Sequence, residues 1–326
     1  MSSDLPSFDE LVGAGGNPAG SSWGLWGSDD VLGCLNLLTP ERVRRGAACV
    51  RSGAVFPLNL DMHLPDPPLF GREPFRHEVV WLQNNAGHDE HLHNWNTQSS
   101  SQWDGFRHIR HPVHDFYNGI ADEDHGIHHW AKRGIAGRGV LADVARWRER
   151  EGRPLKPDES DPIEAEDIRA TLLAQGIAVE TGDILLIRTG WLSWYRSLDA
   201  DERRAYNERG HPTVGLRAGE DNWRFLWDLH ICAVAVDNPA VEVWPPASLI
   251  SPDKLQELLA TPERLDEVFM HIRLLPLLGL PLGEFFDLDG LAEDCANEGT
   301  YELFFTSAPL NLAAGVASPP NALAIR

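Results

Sequence analysis

Short uninterrupted apolar runs alternate with stretches of helical spacing along the second half of the chain, and that alternation predicts the architecture. In the segment 182–191, Ile184, Leu185, Leu186 and Ile187 are apolar on both alternating faces, as in a strand covered from both sides. The segment 231–239, Ile-Cys-Ala-Val-Ala-Val-Asp-Asn-Pro, reads the same way and ends in a polar turn at Asp237. Upstream of both, Ile168, Leu172 and Leu173 recur at helical spacing within Glu164–Gln175, which Gly176 terminates. Helices are also predicted over Asp199–Glu208, Glu220–Leu229 and Pro262–Met270. An apolar stretch at 273–282 is broken by Pro276 and Pro281, and a last strand falls within 301–312.

The first half is more heavily punctuated. Thr39 before Pro40 makes a cap and first turn, and Val43, Ala47, Ala48 and Val50 complete a short amphipathic helix that Gly53 closes. Residues 54–60 have strand character, with Pro57 confining them to an edge or a strand end. The proline-rich 61–75 is a loop, and 77–83 is again a strand. In 126–147 the pattern gives a helical turn around Trp130 and Lys132, then a strand at Gly139–Asp143; the charged, proline-rich 151–162 is an exposed loop. Strand and helix alternate after residue 126, which predicts a mixed α/β domain, and residues 1–22 read as an N-terminal arm. There is no internal repeat.

Composition narrows the function classes. The chain has 326 residues with 42% hydrophobic and 24% charged positions, enough for one large core or two smaller ones. Its formal charge of −21 argues against a nucleic-acid backbone or an anionic membrane as partner, since both select clustered Lys and Arg. The N-terminus lacks a basic start followed by an apolar run, so a cytoplasmic location is the expectation. Cys34, Cys49, Cys232 and Cys295 are far apart with no CxxC, which indicates small buried residues and neither a disulfide framework nor a thiolate zinc site.

Chemistry concentrates in residues 88–119. Six of the chain's 14 histidines lie there (His88, His91, His93, His108, His111 and His114), together with Asp89, Glu90, Asp104 and several aromatic residues. Imidazole suits both proton transfer near neutral pH and metal ligation. With the chain extended at Gln102-Trp103-Asp104, the two polar side chains share one face and Trp103 takes the other. For any single histidine a solvated loop is the simpler account, but Gln98, Gln102, Asp104 and His108 together form a candidate site. Trp103, Phe106 and Tyr117 would line an aromatic, substrate-binding pocket with Trp95, and His111 and His114 would relay protons or orient substrate; core packing and turn structure are the competing accounts of each.

The run from Gln98 to His108 resembles the cyclase family of metal-dependent hydrolases, which includes bacterial kynurenine formamidase and isatin hydrolase. That family's signature is His-x-Gly-Thr-His-x-Asp-x-Pro-x-His, in which the first two histidines and the aspartate bind metal and the last histidine is catalytic. Aligned on Asp104, the aspartate and the final histidine (His108) are kept, whereas both ligand histidines are glutamines (Gln98 and Gln102) and the proline is Phe106. Residues 26–47, 182–191 and 230–242 resemble other segments of the family. Residues 271–288 resemble its second ligand segment, matching His271 and Glu284 to the metal-binding histidine and glutamate.

The resemblance thus covers 23–326 as one hydrolase domain and implies a swivelling β/β/α fold with a mixed sheet flanked by helices, assembled as a homodimer or homotetramer. It also implies a divalent cofactor, manganese or zinc, held by Gln98, Gln102, Asp104, His271 and Glu284. An amide oxygen is a weaker, harder donor than imidazole, so this set favours manganese or magnesium, or a single metal in place of two. His91 and His93, which alternate onto one face if that segment is extended, are candidate substitute imidazoles, and a hydrogen-bonding role in an exposed turn is the simpler account of both. The implied reaction is hydrolysis of an amide, imide, lactam or lactone bond in a small-molecule substrate, with Asp104 and His108 as catalytic residues and His108 as acid or base. Two rivals stay open: a metal-free acid/base enzyme (cyclase, dehydratase or isomerase) using Asp104 and His108, and a non-catalytic small-molecule binding protein on the same fold.

Overall fold

A computed structural model describes residues 5–16 and 18–326; positions 1–4 and 17 of the expected arm lie outside the described residues. The doubly apolar runs occupy the middle of a nine-stranded mixed sheet. From one edge the order is Val55–Pro57, Ala322–Ile325, Glu302–Ser307, Ile135–Asp143, Ile184–Arg188, Ala233–Val236, Leu282–Glu284, Gln102–Asp104 and Ala317–Ser318. The four central strands from Ile135–Asp143 to Leu282–Glu284 run parallel to one another, and antiparallel pairs extend the sheet on either side. Ile184 to Ile187 and Ala233 to Val236 are sealed from solvent, as residues covered on both faces must be. Pro57, which cannot donate to a ladder, sits in the edge strand as expected.

Helices form largely where caps and spacing predict them. Thr39 Oγ1 accepts from Arg42 N at the start of Pro40–Ala47, and Asp199 caps Ala200–Glu208 by accepting from Asp201 N and Glu202 N. Ala165–Ala174 and Glu220–Asp228 also fall within the predicted spans. Part of the arm is docked: the helix Phe8–Gly13 buries Phe8 and Leu11, and Phe8 N donates to Asp228 Oδ1 at 2.7 Å.

Three expectations need correction. The strand assigned to Gly139–Asp143 begins at Ile135, because Arg138 is buried inside it, paired with Asp183 at 3.1 Å and Glu302 at 2.8 Å, and its charge interrupts the apolar pattern without interrupting the strand. The span 262–270 forms a 3₁₀ turn at Pro262–Glu267 instead of a full helix. The apolar stretch after it divides, giving a one-turn helix His271–Leu274 and a strand Leu282–Glu284, with Pro276 and Pro281 between them. Among the described residues no helix is long and apolar enough to cross a membrane.

Candidate active site

The strand Gln102–Asp104 brings the chemistry into the sheet. It pairs antiparallel with Leu282–Glu284, placing Gln102 opposite Glu284, Trp103 opposite Gly283 and Asp104 opposite Leu282. Alternation then sends Gln102 and Asp104 to one face and Trp103 to the other. On that other face Trp103 is fully buried against Phe286 and Phe305, and its Nε1 donates to Ser307 Oγ at 2.9 Å. Gly283 makes room for this packing, since a Cβ there would lie 2.6 Å from the Phe286 ring and 3.0 Å from the Trp103 ring. Trp103 is therefore a core residue and not a pocket wall. Trp103→Ala should cost about 3–5 kcal/mol of stability, read as a lower midpoint in chemical denaturation.

Around Asp104 the structure gathers Gln98, Gln102, His108, His271 and Glu284. Gln98 Nε2 donates to Asp104 Oδ1 at 2.9 Å and lies 3.0 and 3.2 Å from the two ring nitrogens of His108. Gln102 Nε2 donates to Asp104 Oδ1 at 3.2 Å and to Glu284 Oε2 at 2.5 Å. His271 Nε2 stands 3.2 Å from Glu284 Oε1 and 3.5 Å from Asp104 Oδ2, and His108 Nε2 is 3.9 Å from Asp104 Oδ1. On the far side of the ring, His271 Nδ1 is 2.8 Å from Glu242 Oε2, and the His271 backbone N–H donates to Glu242 Oε1 at 3.4 Å. Glu242 thereby fixes the ring so that Nε2 faces the two other carboxylates.

The electrostatics of this cluster follow from three buried acids around one imidazole. Burial pushes the Glu284 carboxyl up to about 8, the Asp104 charge adds to that, and His271 opposes it. Burial disfavours a charged His271, but Glu242, Asp104 and Glu284 outweigh it and raise the ring well above its ordinary value. Burial would also raise Asp104, yet the positive charges of His108, His271 and Arg72 hold it below the usual carboxylate range. For His108 burial, joined by the charges of His271 and Arg72, wins over the attraction of Asp104 and holds the ring below its ordinary value.

These residues fit a divalent cation. Asp104, His271 and Glu284 each offer a ligand atom, all within 4.8 Å of one another. Asp104 Oδ2 and Gln102 Oε1 are buried without a hydrogen-bond partner, a costly state that a bound cation would relieve. The Gln98 and Gln102 amides turn their nitrogens toward the carboxylates; a half-turn of each amide would present oxygen instead. An imidazole backed by a carboxylate, with two carboxylates beside it, is a common donor arrangement for a divalent ion.

The other expected site residues lie elsewhere. His91 and His93 belong to an exposed hairpin made of Arg76–Trp81 and His88–His93, where His93 Nε2 meets Glu78 Oε2 at 2.7 Å, so they do not replace the missing imidazoles. Their alternation is real, but it faces the hairpin partner. Phe106 packs among Tyr117, Trp130 and His125, and the Tyr117 hydroxyl donates to Asp30 Oδ2 at 3.0 Å; both are core. His111 is buried with Nδ1 accepting from the backbone N–H of Val113 and His114, which makes it a turn cap, and the His114 ring lies tilted against it, 4.7 Å between centres. The structural account of these two thus replaces the relay. Asp237 likewise accepts from Thr189 N, Thr189 Oγ1 and Gly190 N, holding the turn before the helix Trp191–Ser197. Glu242 has no expectation attached to it in the sequence, because its partner lies 29 residues away and no spacing connects them.

A mixed sheet flanked by helices, with a His-and-carboxylate cluster on its strand ends, defines an α/β protein with a possible three-residue metal site. The Cyclase family model, described as "Putative cyclase", matches residues 56–243, more than half of the chain, and the chain belongs to that family. His271 and Glu284 fall beyond the matched segment and join the site only in three dimensions. No curated protein matches the sequence. A solved structure of a novel cyclase is 28% identical over 94% of this chain and 99% of its own, with a TM-score of 0.78. Isatin hydrolase A from Labrenzia aggregata (16% identity, 85% and 94% coverage, TM-score 0.52) shares the fold. So does isatin hydrolase A from Ralstonia solanacearum (15% identity, 100% coverage of both chains, TM-score 0.54).

Proposed function

We propose that this chain is a metal-dependent hydrolase that opens an amide, imide, lactam or lactone bond in a small molecule, with carbon–nitrogen bonds the favoured class. The convergence of Asp104, His271 and Glu284, in which Asp104 Oδ2 makes no hydrogen bond and has His271 Nε2 3.5 Å away, carries the reading. Asp104, His271 and Glu284 would hold the ion, with the Gln98 and Gln102 amide oxygens as further donors. When bound, a divalent ion lowers the pKa of water and polarises a carbonyl. The oxygen-rich donor set favours manganese over zinc.

The chain's own residues supply the remaining steps. Glu242 accepts a hydrogen bond from His271 Nδ1 and keeps Nε2 directed at the site. Asp104, held ionised by its neighbours, anchors the Gln98 amide, and Gln98 in turn lies against the His108 ring. His108, held below its ordinary value by burial and partly open to solvent, is placed to take a proton from the attacking water and deliver it to the leaving nitrogen or oxygen.

Elemental analysis before and after chelation, with metal-replenishment assays on formamides, imides and lactones, tests the reading. About one equivalent of manganese or zinc, with turnover that follows it, is expected. Uptake at pH 7 should release protons, because Glu284 is protonated below about 8 and must ionise to ligate; affinity therefore falls as pH drops from 8. A protein that takes up no metal, yet turns over, would shift the assignment to acid/base chemistry by Asp104 and His108 alone.

We further propose that the chain assembles as a homodimer or homotetramer through the hairpin. Val79 and Trp81, 55% and 64% exposed, share one hairpin face with Leu92. These exposed apolar side chains, set among His77, His88 and Glu90 on the same face, suit contact with a second copy. Trp81→Glu should shift sedimentation toward monomer, and an unchanged oligomer would show that the hairpin is not the interface.

A further inference from the structure

Next to the metal-ligand cluster, three distant segments bring together Phe70, Arg72, His211 and Trp244. Arg72 Nη1 donates to the backbone carbonyl of Gln98, the residue whose side chain meets Asp104 and His108. The remaining guanidinium nitrogens make no hydrogen bond within the described residues, and Arg72 has no carboxylate in ion-pair contact there. Its guanidinium carbon lies 5.0 Å from the centre of the Phe70 ring. Phe70 in turn meets His211 edge-on at 4.7 Å and Trp244 edge-on at 5.0 Å, while His211 and Trp244 lie parallel, 5.9 Å apart.

His211 is the independent sign of a ligand. Only 8% of the residue is exposed, yet neither ring nitrogen makes a hydrogen bond of normal geometry, the backbone of Asn207 being the nearest group that approaches one. A buried imidazole left in this state forfeits on the order of 1–3 kcal/mol unless something else bonds to it. Its backbone is held at φ 44°, a conformation uncommon outside glycine and asparagine, so the turn after Ala200–Glu208 fixes the ring where it stands. Trp244 is two residues from Glu242, the partner of His271, so the aromatic wall and the metal-ligand cluster share a backbone segment.

We propose that Arg72 and His211 form the binding site for a carboxylate carried by the substrate, whose planar body lies against Phe70 and Trp244. The inference rests on the hydrolase reading for the bond that is cleaved and adds to it the class of molecule: a planar monoanion bearing the scissile amide or ester toward Asp104 and His271. Arg72 retains donors on one edge of its fork, the geometry that a carboxylate accepts from two nitrogens at once. Asp104, Glu242 and Glu284 stand nearby, so a monoanion is repelled less than a dianion such as phosphate, which would bring a second negative charge beside them.

Binding of benzoate and of benzamide to the full chain, measured by calorimetry in the presence of chelator, tests this without turnover and without a metal to which benzoate could ligate. Benzoate should bind at least about tenfold more tightly than its neutral isostere. Arg72→Gln should erase that preference by weakening benzoate alone. His211→Phe, which keeps the ring against Trp244 and removes the nitrogens, should weaken benzoate severalfold and serves as the second variant if Arg72→Gln does not fold. Equal affinities in the unmodified protein, no measurable benzoate binding, or a preference that survives Arg72→Gln would overturn the proposal. A protein that shows the preference but takes up no metal contradicts the hydrolase reading alone. One that takes up metal and hydrolyses neutral amides, with no preference for benzoate, contradicts the carboxylate site alone.

Discussion

Asp104→Ala is expected to abolish metal uptake and turnover together, whereas His108→Ala keeps the metal and loses turnover. Asp104 is fully buried, accepts from both glutamine amides and lies within reach of His271, so its removal takes away a ligand and the acceptor that orders the others. Removing a group that only orients a ligand costs roughly 10–100-fold in metal affinity, which is the loss expected of Glu242→Gln; loss of a ligand itself must exceed it. His108 stands outside the trio, 3.9 Å from Asp104, and contributes proton transfer, worth about 10²–10⁴-fold in rate. The pair of variants separates the two functions by metal content and rate. A metal-stripped Asp104→Ala protein with full activity would sink the mechanism.

The contrast between these residues and the others of the histidine-rich stretch shows what a sequence can and cannot carry. Alternation at Gln102-Trp103-Asp104 is a property of the backbone, so its consequence, two polar groups inward and one indole outward, could be read before any fold existed. The same alternation at His91 and His93 was equally legible, but its meaning depends on the Arg76–Trp81 strand that pairs there, and pairing is a long-range fact. Phe106 and Tyr117 illustrate a second limit. An aromatic residue a few positions from a catalytic histidine has the same sequence signature whether it faces a ligand or, as here, Trp130 and Asp30.

Elements with weak patterns were lost for a related reason. The helix Asp289–Glu298 buries only Leu291, Ala292 and Cys295, small or sparse positions that give little periodicity, and the helix Pro252–Leu259 buries only Leu258. The buried runs at Ile184–Arg188 and Ala233–Val236 were legible because burial on both faces leaves no polar position to interrupt them. Arg72 and His211 had no signal at all. One lies in a proline-rich loop and the other in a turn, and their shared location is created by the packing of Phe70 against His211 and Trp244.

Restoring imidazoles at the two glutamine positions, Gln98→His with Gln102→His, should raise affinity for zinc on the order of a hundredfold, about 2.7 kcal/mol, while leaving manganese nearly unchanged. Gln102 shares a strand face with Asp104 and the Gln98 side chain reaches the same carboxylate from the preceding loop, so a nitrogen donor at either position stands close to the trio. In the present chain each amide nitrogen serves as a donor to carboxylate, and Gln102 bridges Asp104 and Glu284. A metal-bound imidazole would replace that hydrogen bond with a lone pair on the ion, a change that zinc rewards more than manganese because zinc prefers nitrogen and manganese oxygen. Competition titrations of the two metals give the ratio directly. An unchanged ratio would mean that the glutamine side chains do not face the bound ion, and that the weaker donor set inferred from the sequence is not what sets metal choice in this protein.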